Sequence, residues 1–438
     1  MHSNIGDGDL VRVWAKIDLD AYVYNVRKVL ASLTCGASLC AVVKANAYGH
    51  GLIPVSRACL SAGASRLAVV CVREGLELRE AGIEAPIQLL GPCLPEEVRP
   101  GIEGDLTFGV SSEDEIELIA ARSRAVHQGR RRGNRTKIHM LVDTGMGRGG
   151  FAPDELWPAA ARILAENTLE LEGLFTHFSS AEEQDRSFSL QQIALFRGLV
   201  RDLEEKGVRI KVRHAANSAA ALFYPESQLD LVRIGALLHG CRAWDHARDG
   251  LELRPALSLH TRVAHVGKRP AGWTVGYNRV HTCSRESILA TLPIGYSDGY
   301  RRALSGRSEV LIRGRRCPVI GTISMDFVVV DVTALGNAPQ GLPKVGDEVI
   351  LIGSDPLARE RITVEELARA SGTIPYVVTT QLGAKVERRY EGKFAELLRQ
   401  EAEQKAAGVP LTLPASNTIP LSSLREESES PVRMAAGA

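Results

Sequence analysis

The stretch VVKANAYGHG, residues 42–51, decides how the rest of this chain is interpreted. A short apolar strand, Cys40–Val43, delivers a lysine, Lys44, directly into a loop of small and polar residues. A lysine at the end of a buried strand is costly unless it is paired, neutralised or covalently bonded. The covalent chemistry that suits such an amine is a Schiff base with a carbonyl group. The plainer alternative is a core strand whose lysine is simply exposed at its end.

Working outward, the chain from residue 40 to about 240 alternates strand-like and helix-like segments. Most of the strands are apolar on successive residues, as strands buried on both faces of a parallel sheet are. The candidate strands are Cys40–Ala45, Arg66–Val72, Pro86–Gly91, Asp105–Val110, Lys137–Asp143, Leu169–Phe178, Val212–Asn217 and Asp230–Gly235. Eight strand–helix units in about 200 residues predict an α/β fold, a TIM-type (β/α)8 barrel rather than an open doubly wound sheet.

The pattern changes after residue 250, where alternating strands are separated by glycine-rich turns. It predicts a second, mainly β domain with one helix near Val364–Ala370, and Arg12–Leu19 is a further candidate strand. The strands are Ala256–Val266, Ser287–Pro293, Glu309–Ile312, Pro318–Ile323, Phe327–Val332 and Asp347–Ile352. The predicted domains are residues 10–250 for the barrel and 251–390 for the β-domain. Residues 391–438 form a charged tail, helical at first and then Pro/Ser-rich and disordered.

The predicted barrel strands end in unusually polar residues. Barrel enzymes build their sites at the C-terminal ends of the strands, so these residues should meet on one rim. The polar ends are Lys44, Asp143–Arg148, Thr176–Phe178, Ala216–Ser218 and Arg233–Ala236. Each has a plain explanation alone, for example Asn217 and Ser218 as helix N-caps. Their convergence with a lysine favours a site, and the small residues after strands seven and eight favour a phosphate group there.

Nine segments, taken together and in order, resemble the alanine racemases, a family of fold-type III pyridoxal-phosphate enzymes. They are VVKANAYGHG (42–51), DTGMGRGG (143–150), THFSSAEEQD (176–185), HAANSAA (214–220), LVRIGALLHG (231–240), VGYNR (275–279), LPIGYSDGY (292–300), GTISMDFVVVDVT (321–333) and SGTIPY (371–376). The resemblance implies an isomerase that interconverts L-alanine and D-alanine with pyridoxal 5'-phosphate and supplies D-alanine for peptidoglycan. It also implies a homodimer with shared active sites.

The resemblance assigns a role to individual residues. Lys44 would hold the cofactor as a Schiff base and act as acid and base on one face of the substrate Cα, and Tyr277 of the second subunit would act on the other face. Arg233 would face the pyridine nitrogen and keep it unprotonated. Substrate binding would fall to Arg148 and to the partner's Met325. The cofactor-binding set is Lys44, Tyr48, Arg148, His177, Asn217, Ser218, Arg233, Gly235, Ala236 and Tyr376.

The chain departs from the family pattern at Leu141. Many members carry a lysine there, often carbamylated, whose negative charge orients the neighbouring arginine. A leucine cannot carry that charge, so a solvent anion, another side chain or nothing holds Arg148. A smaller departure is His239, where the family usually has tyrosine.

Three alternative functions stay open on the sequence. A broader racemase would act on serine, lysine or arginine, and the entrance residues that decide this, Tyr296 and Leu141, do not give a pocket size. A related barrel decarboxylase of basic amino acids is disfavoured by the VGYNR and SMD segments. A non-catalytic carrier of pyridoxal phosphate is disfavoured by the complete β-domain with Tyr277.

Composition sets the remaining expectations. The chain has 438 residues, is 45% hydrophobic and 24% charged, and carries a formal net charge of +1, so charge favours neither nucleic acid nor an anionic membrane as a partner. No apolar run is long enough to cross a bilayer, and the start of the chain has no secretory signal. The eight cysteines are scattered without metal-ligand spacing. We therefore expect no metal and a reduced, cytoplasmic protein.

Overall fold

The computed structural model of the protein describes residues 11–34, 36–128, 135–244, 250–339, 341–355 and 360–406. The strands in these ranges are β1 Val13–Asp18, β2 Ser38–Val42, β3 Arg66–Val69, β4 Ile87–Leu89, β5 Phe108–Val110, β6 Thr136–Leu141, β7 Leu169–Phe175, β8 Val212–His214, β9 Leu231–Ile234, β10 Leu257–Arg262, β11 His265–Arg269, β12 Thr274–Val275, β13 His281–Thr282, β14 Ser287–Leu292, β15 Glu309–Ile312, β16 Arg315–Ile320, β17 Val328–Asp331, β18 Glu348–Ser354, β19 Arg361–Ile362 and β20 Glu387–Glu391.

The helical segments are α1 Leu19–Ser32, α2 Lys44–Tyr48, α3 Leu52–Ser61, α4 Val72–Glu80, α5 Pro95–Glu103, α6 Glu113–His127, α7 Leu156–Ala165, α8 Ser187–Glu205, α9 Ser218–Phe223, α10 Val364–Ala370, α11 Pro375–Thr380 and α12 Lys393–Ala406. Within the described ranges, no helix has both the length and the apolar character needed to cross a membrane.

Strands β2 to β9 form two parallel four-stranded arcs, in the orders β4-β3-β2-β9 and β5-β6-β7-β8. Strands β3 and β9 are buried on every residue, because helices cover one face and the other faces the barrel interior. The arcs meet at a parallel bridge between Gln88 and Thr107, and again where the Arg233 N–H donates to the Ala216 carbonyl (2.9 Å). All eight predicted strands are present, and the predicted α/β class is confirmed.

The second domain is built on a ten-stranded sheet. Nine of its strands follow the order β11-β14-β17-β16-β15-β18-β10-β1-β20, and the tenth, β19, pairs with β18. Strand β1 pairs antiparallel with β10 and parallel with β20, so the strand predicted within Arg12–Leu19 exists. The segment Ala256–Val266, predicted as one strand, is divided between β10 and β11. The division arises because β10 pairs with β18 whereas β11 pairs with β14.

The C-terminal helix α12 is attached to the first helix. Both carboxylate oxygens of Asp20 accept backbone N–H groups, from Lys393 and Phe394 (2.9 Å each), and Phe394 is buried. The first part of the predicted tail is therefore helical, as its composition indicated. Residues 407–438, predicted to be disordered, lie outside the described residues, and the proposed domain bounds stay a prediction.

Candidate active site

The chain leaves β2 through a left-handed turn that begins at Lys44. Residues 45–48 all have φ between 49° and 55°, a conformation that costs roughly 1–2 kcal/mol for each residue other than glycine. Hydrogen bonds hold the turn in place. The Asn46 side chain accepts from the Leu52 N–H (2.7 Å), and the Glu74 carboxylate accepts from the Asn46 N–H (3.3 Å). The turn places Lys44 and Tyr48 against the same cavity at the rim.

Two adjoining cavities lie at the rim, and they share Lys44, Leu90, His177 and Arg233. The first has a volume of about 360 Å³ and extends to the 143–150 loop, and the second has a volume of about 210 Å³ and extends to the start of α9. All ten residues predicted to bind a cofactor line one or both cavities, namely Lys44, Tyr48, Arg148, His177, Asn217, Ser218, Arg233, Gly235, Ala236 and Tyr376.

The amine of Lys44 lies in a partly buried and electropositive environment. Burial and then the charge of Arg148 lower the pKa of Lys44 below its ordinary value, and the Glu74 carboxylate acts in the opposite direction. A lower pKa means that more of the amine is neutral at a given pH. A neutral lysine amine is the form that attacks a carbonyl carbon or accepts a proton.

Arg233 is the most firmly held charged residue of the site. Its side chain is buried, and both Nη groups are engaged. Nη1 donates to Nδ1 and the carbonyl of His214 (2.9 and 3.1 Å). Nη2 donates to the carbonyls of Thr176 and Ala215 and to Nδ1 of His177 (2.7, 2.9 and 3.2 Å). Burial lowers the pKa of Arg233 to about 10, so it remains charged at neutral pH. Among its five N–H groups, only the Nε–H has no partner among the described residues.

His177 is a neutral imidazole. Burial, followed by the charges of Arg233 and Arg148, lowers the pKa of His177 to about 3. Because its Nδ1 accepts from Arg233, the ring proton must lie on Nε2. The Gln192 amide fixes the backbone here, since it donates to the His177 carbonyl (3.2 Å) and to the Thr144 hydroxyl (3.1 Å).

Small residues shape the second cavity. The Ser218 hydroxyl accepts from the Gly235 N–H (3.2 Å), and a Cβ at Gly235 would lie 2.5 Å from the Tyr48 hydroxyl. Burial raises the pKa of Tyr48 to about 12, so its hydroxyl keeps its proton and can donate to an anion. The side-chain oxygen of Asn217 accepts from the Ala220 N–H (2.9 Å) and so acts as an ordinary N-cap of helix α9.

The loop that carries Arg148 is held through its backbone. One oxygen of the Asp143 carboxylate accepts N–H groups from residues 145, 146 and 147 (2.8 to 3.2 Å), and Phe151 N–H donates to the Leu141 carbonyl (2.8 Å). The Leu141 side chain packs beneath Gly150, where an added Cβ would approach it to 3.1 Å. The Arg148 side chain itself is exposed and makes no hydrogen bond or ion pair with any described residue. Packing by Leu141 therefore supports the loop, and nothing described holds the guanidinium.

Tyr277 and Met325 lie in the second domain, and neither lines the two cavities. Their side chains are 68% and 53% exposed. They belong to one edge of that domain, since the Thr322 hydroxyl donates to the Tyr277 carbonyl (3.1 Å) three residues before Met325. A single chain therefore does not bring Tyr277 to the lysine.

Several polar residues behind the site were not predicted from the sequence, namely Arg66, Glu74, His139, Glu172 and Gln192. The available signal was a polar residue inside an otherwise apolar strand, as with His139 in KIHML. Such residues are buried only when they are paired.

A barrel rim that combines a lysine of lowered pKa, a buried arginine and a cradle of small residues defines an enzyme of the barrel class that works through a Schiff base. Comparison with known protein families identifies the family to which this enzyme belongs. Residues 17–243 match the model for the alanine racemase N-terminal domain, and residues 256–390 match the model for the C-terminal domain. The chain belongs to the alanine racemase family.

Individual relatives agree with this assignment. The alanine racemase of Desulforamulus reducens is 41% identical over 382 residues, which are 87% of this chain and 99% of that protein. The alanine racemase of Symbiobacterium thermophilum is 41% identical over 384 residues, 87% of this chain and 98% of that one. The crystal structure of alanine racemase from Streptomyces lavendulae aligns with a TM-score of 0.80 and 36% identity, covering 88% of this chain and 98% of that chain. The resemblance drawn from nine sequence segments is confirmed.

Proposed function

We propose that this protein is a pyridoxal-phosphate-dependent racemase that interconverts L-alanine and D-alanine, with Lys44 and Tyr277 as its two acid–base residues. The proposal rests on one observation: Lys44, Arg233 and the small residues Ser218, Gly235 and Ala236 line adjoining cavities at the rim of the barrel. The chain that carries them belongs to the alanine racemase family. Neither a carrier nor a decarboxylase has support from the relatives, which are named alanine racemases.

The residues at the rim fit the cofactor. When bound, pyridoxal phosphate supplies a conjugated ring that withdraws electrons and acidifies the proton on the substrate Cα. The Lys44 amine would bind the carbonyl carbon of pyridoxal phosphate. The free Nε–H of Arg233 is a donor available to the ring nitrogen, and a lasting guanidinium charge disfavours protonation of that nitrogen. The phosphate-binding set we propose is Tyr48, Ser218, Gly235, Ala236 and Tyr376.

Racemisation requires one group to remove the Cα proton and another to return a proton on the opposite face. We assign the first face to Lys44, whose lowered pKa favours the proton-accepting amine. We assign the second face to the Tyr277 hydroxyl. Arg148 lines the first cavity with Lys44 and would hold the substrate carboxylate together with the backbone N–H of Met325. His177 would position Arg233 and the tyrosine.

Because Tyr277 lies away from the cavities of its own chain, the proposal requires a homodimer with shared sites. The edge that carries Tyr277 is rich in exposed large apolar side chains, a feature of association surfaces. They are Tyr277, Val280, Tyr296, Met325 and Phe327. This edge supports the proposal that it meets the rim of a partner.

Co-expression of a Lys44→Ala chain with a Tyr277→Phe chain tests the shared site. Each variant alone should be close to inactive. In a mixed dimer, one site combines an intact lysine with an intact tyrosine, so random pairing should restore about one quarter of wild-type activity. No gain over the separate variants would contradict the shared site.

The cellular role is part of the proposal. The seven cysteines among the described residues are all free, which supports a reducing compartment and hence the cytoplasm. There the enzyme would supply D-alanine for peptidoglycan.

Substrate choice separates alanine from the broader alternative. Purified enzyme with pyridoxal phosphate is incubated with the L- and D-forms of alanine, serine, lysine and arginine, and products are resolved by chiral chromatography. We expect kcat/KM to be highest for alanine in both directions. A higher kcat/KM for serine or for a basic amino acid would replace alanine as the assigned substrate.

A further inference from the structure

A chain of hydrogen bonds runs from the rim arginine into the interior of the barrel. Arg233 Nη1 lies 2.9 Å from His214 Nδ1, and His214 Nε2 lies 2.8 Å from His139 Nδ1. His139 Nε2 lies 2.8 Å from Glu172 Oε2, and Arg66 Nη2 lies 2.8 Å from the same oxygen. We call Arg233, His214, His139, Glu172 and Arg66 the interior chain. It connects strands β9, β8, β6, β7 and β3.

The two ends of the interior chain fix where every proton in it must lie. A guanidinium can only donate, so His214 Nδ1 must accept from Arg233 and carry no proton. His214 then bears its proton on Nε2 and donates to His139 Nδ1. His139 in turn bears its proton on Nε2 and donates to Glu172, whose carboxylate can only accept. Both imidazoles are therefore Nε2–H tautomers, and no other neutral arrangement satisfies all the contacts.

The surroundings keep these imidazoles neutral. His139 and His214 are fully buried. Burial is the main cause that lowers the pKa of His139 to about 4 and the pKa of His214 well below its usual value. Although burial acts to raise it, hydrogen bonding from His139 and the charge of Arg66 lower the pKa of Glu172 to about 2.

The backbone makes room for this arrangement. A Cβ at Gly173 would lie 2.6 Å from Cε1 and Nδ1 of His139, so β7 omits a side chain where the imidazole enters. On the far side, the Phe175 ring stacks on His214 with centroids 4.8 Å apart and planes at 4°. Packing thus fixes ring positions while the hydrogen bonds fix ring protonation.

We propose that Glu172, acting through His139 and His214, is a positioning residue that orients Arg233 for its contact with the cofactor ring nitrogen. If His214 carried its proton on Nδ1, that proton would point at an Arg233 N–H. The guanidinium would have to turn, and this would move the Nε–H that we propose donates to the ring nitrogen. The inference rests on the proposed function for what Arg233 contacts, but the tautomers can be tested without cofactor.

The first test is nitrogen NMR of the full-length enzyme labelled with ¹⁵N-histidine, without and with pyridoxal phosphate. Signals of His139 and His214 are assigned by single histidine-to-glutamine variants. We expect both rings to be neutral, with the proton on Nε2, from pH 6 to pH 9. A proton on Nδ1 of either ring, or a charged ring, in the wild-type protein would overturn the proposal.

Glu172→Leu then removes the acceptor at the end of the interior chain. The buried Nε2–H of His139 then has no acceptor, and only Arg233 still favours the Nε2–H tautomers, so we expect part of the His139 and His214 population to carry the proton on Nδ1. Glu172→Gln keeps the pure Nε2–H state because the carboxamide oxygen still accepts. If Glu172→Leu does not fold because Arg66 is left without its partner, the double variant Arg66→Leu with Glu172→Leu removes both charges together. Unchanged tautomers in whichever of the two leucine variants folds would overturn the proposal.

Kinetics show whether the effect reaches the site. In the folded leucine variant, kcat should fall on the order of tenfold, the lower end of the loss seen when the hydrogen-bond partners of metal-ligating side chains are removed. KM for alanine should change little, because the substrate carboxylate is held elsewhere. The matched control is Glu170→Leu, on the same strand, which removes only the ion pair with Lys211. Altered tautomers with unchanged kcat would overturn the positioning role, and an inactive wild type with the expected tautomers would overturn only the proposed function.

Discussion

Replacing Gly235 by alanine should weaken binding of the cofactor phosphate specifically. The backbone at Gly235 has φ of −119°, outside the left-handed region that favours glycine, so the main effect of an added Cβ is steric. The new Cβ would lie 2.5 Å from the Tyr48 hydroxyl and 3.0 Å from its Cζ, and the tyrosine must move away. Because Tyr48 and Ser218 line the cradle, the movement disturbs the groups proposed to bind the phosphate.

The size of the effect follows from the contact. Overpacking by one methyl group against a well-packed side chain costs about 1–3 kcal/mol, which is roughly a 5- to 150-fold loss of affinity if the cofactor restores the native position. The dissociation constants of cofactor-free protein for pyridoxal phosphate and for pyridoxal are measured by absorbance titration. We expect a large loss for pyridoxal phosphate and a small one for pyridoxal.

Gly198→Ala is the matched control. Gly198 lies inside α8, where an added Cβ would meet no described atom within 4 Å apart from its chain neighbours and the backbone of its own helix. Alanine should therefore leave cofactor binding unchanged and stabilise the helix by up to about 1 kcal/mol. For Gly235→Ala, equal losses for pyridoxal phosphate and pyridoxal would refute the phosphate cradle, and no loss would refute the steric reasoning.

Three further outcomes are expected. Tyr277→Phe should slow racemisation about 100-fold or more in at least one direction, as loss of a general acid or base does, with unchanged cofactor titration; full activity both ways would rule out its role. In the folded protein His139 and His177 have pKa values of about 4 and about 3, so they stay neutral at pH values below 6.5 at which the same two histidines become protonated in the unfolded chain. Below pH 6.5 the unfolded state therefore binds more protons than the folded state. The free energy of unfolding, measured by urea melts, should fall by on the order of 1 kcal/mol per pH unit for each histidine between pH 6.5 and pH 4. A free energy of unfolding that does not change over this pH range would contradict the reasoning. Leu141→Ala should raise KM for alanine more than it lowers kcat, because it loosens the loop that carries Arg148; steady-state kinetics with unchanged KM would argue against that support.

Much of the fold could be predicted from local patterns. Barrel strands such as β3 and β9 are mainly apolar runs bounded by turns, and β15 was predicted with the bounds Glu309–Ile312 that the structure has. Pairing of distant segments could not be predicted in the same way. Strand β20 pairs in parallel with β1, although most of the chain separates the two strands in sequence. The segment of β20, ERRYE, has no alternation of apolar and polar residues. Its position depends on tertiary contacts that no local pattern records.

The site residues that stand at the ends of barrel strands could be predicted from the sequence. Those whose positions depend on contacts between strands could not. Lys44 and Arg233 stand at the ends of strands, so barrel geometry alone brings them together. The left-handed turn after Lys44 was not predictable, because alanine and tyrosine rarely adopt positive φ and only the surrounding hydrogen bonds make it stable. The partners of His139 lie on other strands, and the residue looks like an isolated polar substitution until the barrel is assembled.

The most direct test of the account is the conversion of L-alanine to D-alanine by the purified enzyme with pyridoxal phosphate, followed by chiral chromatography, with Lys44→Ala as the control. The reaction is run in both directions and in D2O, so that exchange at Cα is recorded by mass spectrometry. We predict that the wild type reaches an equal mixture of the two forms with deuterium at Cα, and that Lys44→Ala gives neither. An active Lys44→Ala enzyme, or a wild type that neither racemises alanine nor exchanges its Cα proton, would contradict the account.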